Sequence, residues 1–210
     1  MEELLKYIGF LLYGVLGLVA LWGAFCVVMV WRRVSQTRFR SESDQDEFLD
    51  ELDRSIEDGN VDAAIELCDG DGRAVAQLSL LALSNRKLPL DKLQHLLADR
   101  FQRDVMADLE HRLSWVNTVI KSAPMVGLLG TVVGMMGAFA QLSSGGTVDQ
   151  GKMAENIAVA LITTACGLSI AIPLVFCTAS INARIRRMED LAGAGLTRLL
   201  ETCRSAFRKS

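Results

Sequence analysis

The chain has 210 residues, half of them hydrophobic, and a mean hydropathy of +0.28, unlike an ordinary soluble domain. Its 22 lysines and arginines against 25 acids leave a net charge of −3, with no basic footprint for nucleic acid. Two histidines with no cysteine spaced beside them, five cysteines without paired spacing and no glycine loop before a lysine exclude a metal motif, a disulfide framework and nucleotide chemistry. No enzyme and no cofactor is expected.

In chain order, a short external tail (residues 1–7) precedes a first uncharged run at 8–31. That run is too long, and Met1-Glu-Glu too acidic, for a cleaved signal peptide, so a retained membrane helix is predicted. Tyr7, Trp22 and Trp31 supply aromatics near its ends. Residues 32–112 form a helical insert whose composition shifts abruptly, with thirteen acids against the single Arg54 between Ser41 and Asp71. The acids read as a solvated face, and Phe48, Leu49, Leu52 and Ile56 mark the apolar side of a helix. A second helix is predicted from Val61 to Cys68. The Cys68-Asp-Gly-Asp-Gly-Arg stretch reads as a turn, because Arg73 stands where a calcium loop needs an oxygen ligand. A further helix follows to Asn85. Asp91 then caps a long helix with Leu93, Leu97, Phe101, Val105, Leu109 and Leu113 at four-residue spacing, running without a breaker into the second span.

Two more uncharged runs cover residues 122–148 and 156–183. Span two with its cytoplasmic extension is placed at 113–145, an external hairpin at 146–153 and span three at 154–183. A C-terminal helix at 184–210 presents Ile185, Met188, Ala192, Leu199, Cys203 and Phe207, although Gly193 and Gly195 weaken it. Arginines cluster after span one (Arg32, Arg33, Arg38, Arg40) and after span three (Arg184, Arg186, Arg187), against only Lys6 and Lys152 on the other side. The positive-inside rule therefore puts the N-terminus outside and the insert and C-terminus in the cytoplasm.

Written as helices, spans two and three each carry a stripe of small residues. Ala123, Gly127, Thr131, Gly134 and Ala138 share one face of the first, and Gly130-x-x-x-Gly134 belongs to the same surface. Asn156, Ala160, Thr164, Gly167 and Ala171 repeat that spacing in the second. Helix packing, with each threonine bonded to its own preceding turn, is one reading of these stripes. Matched threonines lining a polar path is the other, and periodicity does not choose between them. Pro124 and Pro173 stand inside the two runs as candidate kinks. Neither run holds an acidic or basic residue, and Asp149 and Glu155 stand only at the edge. Alone, the chain offers no mid-membrane carboxylate for a proton relay.

Residues 124–135 (Pro-Met-Val-Gly-Leu-Leu-Gly-Thr-Val-Val-Gly-Met) and 160–173 (Ala-Leu-Ile-Thr-Thr-Ala-Cys-Gly-Leu-Ser-Ile-Ala-Ile-Pro) resemble the second and third membrane helices of the MotA/TolQ/ExbB proton-channel family, closest to its ExbB and TolQ branch. The resemblance implies an all-α membrane protein with three transmembrane helices, a cytoplasmic helical insert and a C-terminal cytoplasmic helix, assembled as a homopentameric ring in a bacterial inner membrane. Two copies of a single-span ExbD/TolR/MotB-like partner would stand inside the ring and supply a membrane aspartate, and the motor would couple proton-motive force to mechanical work. Thr131 and Thr164 match the family's path threonines. Thr163, Asn156 and Glu155 would flank them, while Gly127, Gly130, Gly134, Ala138, Ala160, Gly167 and Ala171 would pack around the partner. The sequence departs from the family at Val159, where ExbB and TolQ commonly carry a glutamate. A non-conducting membrane scaffold is the competing reading. An autonomous solute transporter is disfavoured, because no inverted repeat or broken-helix pair is visible.

Overall fold

The computed structural model describes residues 2–143 and 150–207, with side chains for 7–140 and 150–205. Every regular element among them is helical. They are α1 (Glu2–Thr37), α2 (Glu42–Glu57), α3 (Val61–Cys68), α4 (Ala74–Ser84), α5 (Leu90–Arg100), a π-helical segment (Phe101–Met106), α6 (Ala107–Ser143) and α7 (Gln150–Phe207). Three of the helices are long and apolar enough to cross a membrane. With 36, 37 and 58 residues, α1, α6 and α7 each exceed the ~20 that a bilayer core requires.

Helix runs through several of the expected boundaries. Residues 2–7, expected as an external tail, are helical, and residues 150–153, expected in the hairpin, are the first turn of α7. The remainder of that hairpin, with Asp149, lies outside the described residues, as does the side chain of Phe207. No break separates span three from the C-terminal helix, because α7 passes through Gly193 and Gly195. The stability that the glycines forgo is offset by burial, since Met188, Ala192, Leu199 and Cys203 lie at 4% exposure or less.

The chain divides into two compact units, Met1–Met29 with Arg112–Ser180, and Val30–His111 with Ile181–Ser210. In the first, α1 meets α6 and α7 where Gly23 has no side chain. A Cβ there would lie 2.8 Å from Val119 Cγ1 and 2.9 Å from Leu174 Cδ1. Trp22 stands edge-on to Trp115, with ring centroids 6.4 Å apart. The outward faces are apolar, with Phe10, Leu21, Met125, Phe139, Leu161 and Phe176 more than half exposed, as suits helices in contact with lipid.

The second unit is a polar-rimmed helical assembly. Ser41 caps α2 by accepting from Asp44 N at 3.1 Å, and Asn60 caps α3 by accepting from Ala63 N at 3.2 Å. Phe48, Leu49, Leu52 and Ile56 are buried on the apolar side expected for α2. Several of its acids are engaged. Asp50 and Asp53 hold Arg198 of α7, and Glu42 stands 3.9 Å from Arg187. Gln45, almost fully buried, donates to Leu191 O at 2.7 Å. Gly195 makes room, since a Cβ there would stand 3.0 Å from Gln45 Nε2.

The 68–73 stretch is indeed a turn, with Gly70 at φ +77°. Arg73 folds back on Asp71 through Nε at 2.7 and 2.9 Å and stacks over the Phe39 ring at 3.9 Å. Its side-chain hydrogen bonds hold the Asp71 carboxyl below its ordinary value. Within the same unit, Arg184 lies over the ring of Trp31, the last residue of the first uncharged run, at 4.0 Å.

Two local expectations fail. Asp91 is not the N-cap. Pro89 occupies that position without a side-chain bond, its fixed backbone sets φ −55°, ψ 140°, and its carbonyl accepts from Leu93 N at 2.9 Å. Asp91 falls in the first turn, where the helix dipole still favours it. The four-residue stripe also breaks at Val105. The π segment Phe101–Met106 absorbs one extra residue, so Met106 is buried at 7% while Val105 is half-exposed. Leu109, Leu113 and Val116 continue from that shifted register.

Burial pushes the Cys68 thiol from 9.0 up to about 11, helped by the charge of Asp71, and Cys203 rises to about 11 by burial and the charge of Asp53. Two pH units correspond to about a hundredfold less thiolate than in the unfolded chain. At pH 8 both cysteines are therefore expected to resist a maleimide until denaturant is added, read by mass spectrometry. The thiols titrate higher when folded, so their contribution to stability is fully present below pH 9 and is lost as the pH rises through about 11.

Candidate functional site at the contact of α6 and α7

The two small-residue stripes face each other within one chain. A Cβ on Gly127 would stand 2.9 Å from Thr163 O and 3.1 Å from Thr164 Cα, and one on Gly167 would stand 2.6 Å from Ala123 O. A Cβ on Gly134 would meet Ala160 Cβ at 2.7 Å and Asn156 O at 2.9 Å. Ala123, Ala138, Ala160 and Ala171 are buried along the same seam. Backbones this close give the dense van der Waals contact that holds helices together where no hydrophobic effect drives them. Gly127, Gly134 and Gly167 thus make close contacts between α6 and α7 within one chain.

The threonines differ from one another. Thr163, expected only to flank the path, is the one enclosed. It is 1% exposed, and its hydroxyl donates to Ala160 O at 2.8 Å and approaches Gly127 O at 3.3 Å. It fills the notch left by Gly130, where a Cβ would lie 2.3 Å from Thr163 Oγ1. Thr164, half-buried, donates across the contact to Gly127 O at 3.0 Å. Thr131, one turn further along α6 and partly exposed, donates to Leu128 O of its own helix at 2.7 Å. The small residues of α6 signal a close approach, but nothing in their spacing singles out Thr163 over Thr164.

A threonine hydroxyl has one proton to donate and two lone pairs with which to accept. Thr131 and Thr164 have each spent the proton on a carbonyl. What remains at a partly open surface is acceptor capacity, suited to a protonated carboxyl group, a hydronium ion or a water. Asn156 and Val159 are half-exposed on α7, and Glu155 is exposed near its start. Nine residues separate Glu155 from Thr164, about 14 Å along the axis, so Glu155 does not stand at the depth of the threonines. Pro124 and Pro173 both sit inside continuous helix, Pro173 on the exposed side. Among the described residues, no three histidine, cysteine or acidic side chains gather as metal ligands would.

Comparison with known proteins gives the chain its family. The MotA/TolQ/ExbB proton channel family matches residues 73–192, more than half of the chain, and the chain belongs to that family. Its relatives place it in the ExbB/TolQ-like branch. The Tol-Pal system protein TolQ of Haemophilus influenzae is 41% identical over 82 residues, 39% of this chain and 36% of TolQ. The biopolymer transport protein ExbB of Aquifex aeolicus is 37% identical over 83 residues, 40% of this chain and 54% of that protein. An ExbB homologue of Methanothermobacter thermautotrophicus is 44% identical over 80 residues, 38% of this chain and 28% of the homologue. The matched segments span between about a quarter and just over half of these relatives' lengths. Family and three long apolar helices together make this a multi-pass membrane protein of a channel family rather than of an enzyme class.

Proposed function

We propose that the chain is the proton-channel subunit of an ExbB/TolQ/MotA-like motor in a bacterial inner membrane, coupling proton-motive force to mechanical work. Five copies surround two single-span partners of the ExbD/TolR/MotB type, with the N-terminus outside and residues 32–112 and 184–210 cytoplasmic. Each partner brings the titratable aspartate that spans two and three lack, and Thr131 and Thr164 accept hydrogen bonds from it when it is protonated. The observation that carries this reading is the pair of partly open hydroxyls with unused acceptor lone pairs, in runs without an acidic or basic residue and inside the matched family segment.

The test begins with native mass spectrometry of the extracted complex, the chain expressed alone and then with its single-span neighbour. A five-copy ring that gains two partners is expected. Thr164→Val removes one hydroxyl and keeps the shape. At ~0.6 kcal/mol for a typical membrane hydrogen bond, assembly should survive the change. Proton flux through the assembled Thr164→Val complex should fall, and unchanged flux would remove Thr164 from the path.

One observation favours the scaffold reading. Both hydroxyls already donate to carbonyls, and the glycines are consumed by packing inside the chain. A stable monomer or dimer that recruits no partner, with activity indifferent to collapse of the proton gradient, would favour it.

A further inference from the structure

One charged side chain of α6 stands at a depth where both neighbouring helices are uncharged. Val19 and Trp22 of α1 line one groove with Thr118 and Ser122 of α6, which sets Lys121 level with the middle of the uncharged run 8–31. The approach of Gly167 to Ala123 O sets it level with the middle of the uncharged run 156–183 of α7 as well. About 15 Å of uncharged helix therefore extends to either side of it on both neighbours. Lys121 is exposed, as is Asn117 one turn back on the same face of α6. Among the described residues no acid pairs with its ammonium.

A charge at mid-depth requires water or a counter-charge, and lipid tails offer neither. A phospholipid headgroup is too far away, because the four-carbon stem of a lysine covers less than half of that depth. A second copy of this chain has no acid to bring. Residues 8–31 and 156–183 hold none, and the nearest on α6, Glu110, is eleven residues or about 16 Å away. Water alone leaves the charge in place. Thr131 lies ten residues on, about 15 Å away and within a quarter-turn of the same face, so a bare ammonium repels a proton moving to or from it. The remaining source is a carboxylate from a chain of different sequence.

We propose that Lys121 is the docking point for a carboxylate on the membrane helix of the partner. The pair is separate from the contact at the threonines. For a helical partner it places a second acid about ten residues from the titratable aspartate. Pairing neutralises the ammonium beside the path and fixes the height of the partner's helix against α6. This rests on the proton-channel reading above, which supplies the partner.

The test extracts the complex co-expressed with its single-span neighbour and counts the partner chains by native mass spectrometry. Wild type, Lys121→Met and Lys121→Arg are compared. Methionine keeps an unbranched stem without the charge, so the ring itself should assemble. Lys121→Met should hold the partner about tenfold less well on dilution, the factor of a single charged hydrogen bond, and Lys121→Arg should retain it. A zero-length carbodiimide, which joins an amine to a carboxylate in contact with it, should link wild-type Lys121 to an acidic residue of the partner, read as a crosslinked peptide. Full retention in Lys121→Met overturns the docking point and leaves the channel reading intact, as does loss of a bound phospholipid in place of the partner. A wild-type ring that gains no partner overturns both. Should Lys121→Met form no ring, the crosslink decides, and a link from Lys121 only to acids of this chain, or no link, overturns the proposal.

Discussion

Gly167→Ala is expected to loosen the contact between α6 and α7 and to destabilise the membrane unit by about 1–3 kcal/mol, the usual cost of overpacking a filled interior. The new methyl would lie 2.6 Å from Ala123 O and 3.3 Å from both Ala123 C and Gly127 Cα. These are backbone atoms, and no rotamer change moves them. One helix must shift away from the other, and the neighbouring contacts at Gly127 and Gly134 weaken with it. The hydrogen bond from Thr164 to Gly127 O spans the same contact and lengthens as the helices part. Gly14→Ala in α1 is the control, because nothing lies within 4 Å of its added Cβ. Denaturant titration in detergent should separate the two, with Gly167→Ala clearly weakened and Gly14→Ala unchanged or slightly strengthened by alanine's helix propensity. Equal stability of the two variants would show that the close approach at Gly167 is not rigid.

Arg198→Ala is expected to cost about 1–3 kcal/mol in the other unit, below the ~3–5 kcal/mol of a fully buried pair because part of this network meets solvent. Arg198 donates through Nε to Asp53 at 2.7 Å and through Nη2 to Asp50, and these bonds, first that to Asp50, raise its already high pKa further. The side chains of Arg198 and Asp50 are 37% and 57% exposed, whereas that of Asp53 is only 15% exposed. Asp53 is therefore the group at risk. Its Oδ1 is already buried without a partner, and loss of the guanidinium leaves Oδ2 unpaired as well. Asp53→Asn in the Arg198→Ala background should recover part of the loss, because it removes the unpaired charge. Thermal unfolding of the four combinations measures this coupling, and strictly additive losses would show that the pair is not an energetic unit.

Much of this fold can be read in the sequence. An uncharged run of more than twenty residues has few stable solutions in lipid, so α1, α6 and α7 follow from composition and length. The apolar side of α2 and the buried positions Met188, Ala192, Leu199 and Cys203 of α7 follow from helical spacing. Less legible were the π segment and the fate of the acids. Val105 and Met106 are both apolar, and only packing decides which of them turns inward when one extra residue enters the turn. Asp50 and Asp53 look like any solvated acids until Arg198, well over a hundred residues later, is brought against them.

By itself, the sequence determined that three helices are long and apolar enough to span a membrane, and that two of them carry smooth stripes free of charge. Both properties are local, set by residue type and the 3.6-residue turn. Only the tertiary structure decided what the stripes touch. Adjacent residues on a helix point about 100° apart, so the rotation of α7 against α6 selects Thr163 for the notch at Gly130 and leaves Thr164 half-open beside Gly127 O. That rotation comes from glycine-mediated contact between two helices, which no single stretch of sequence contains.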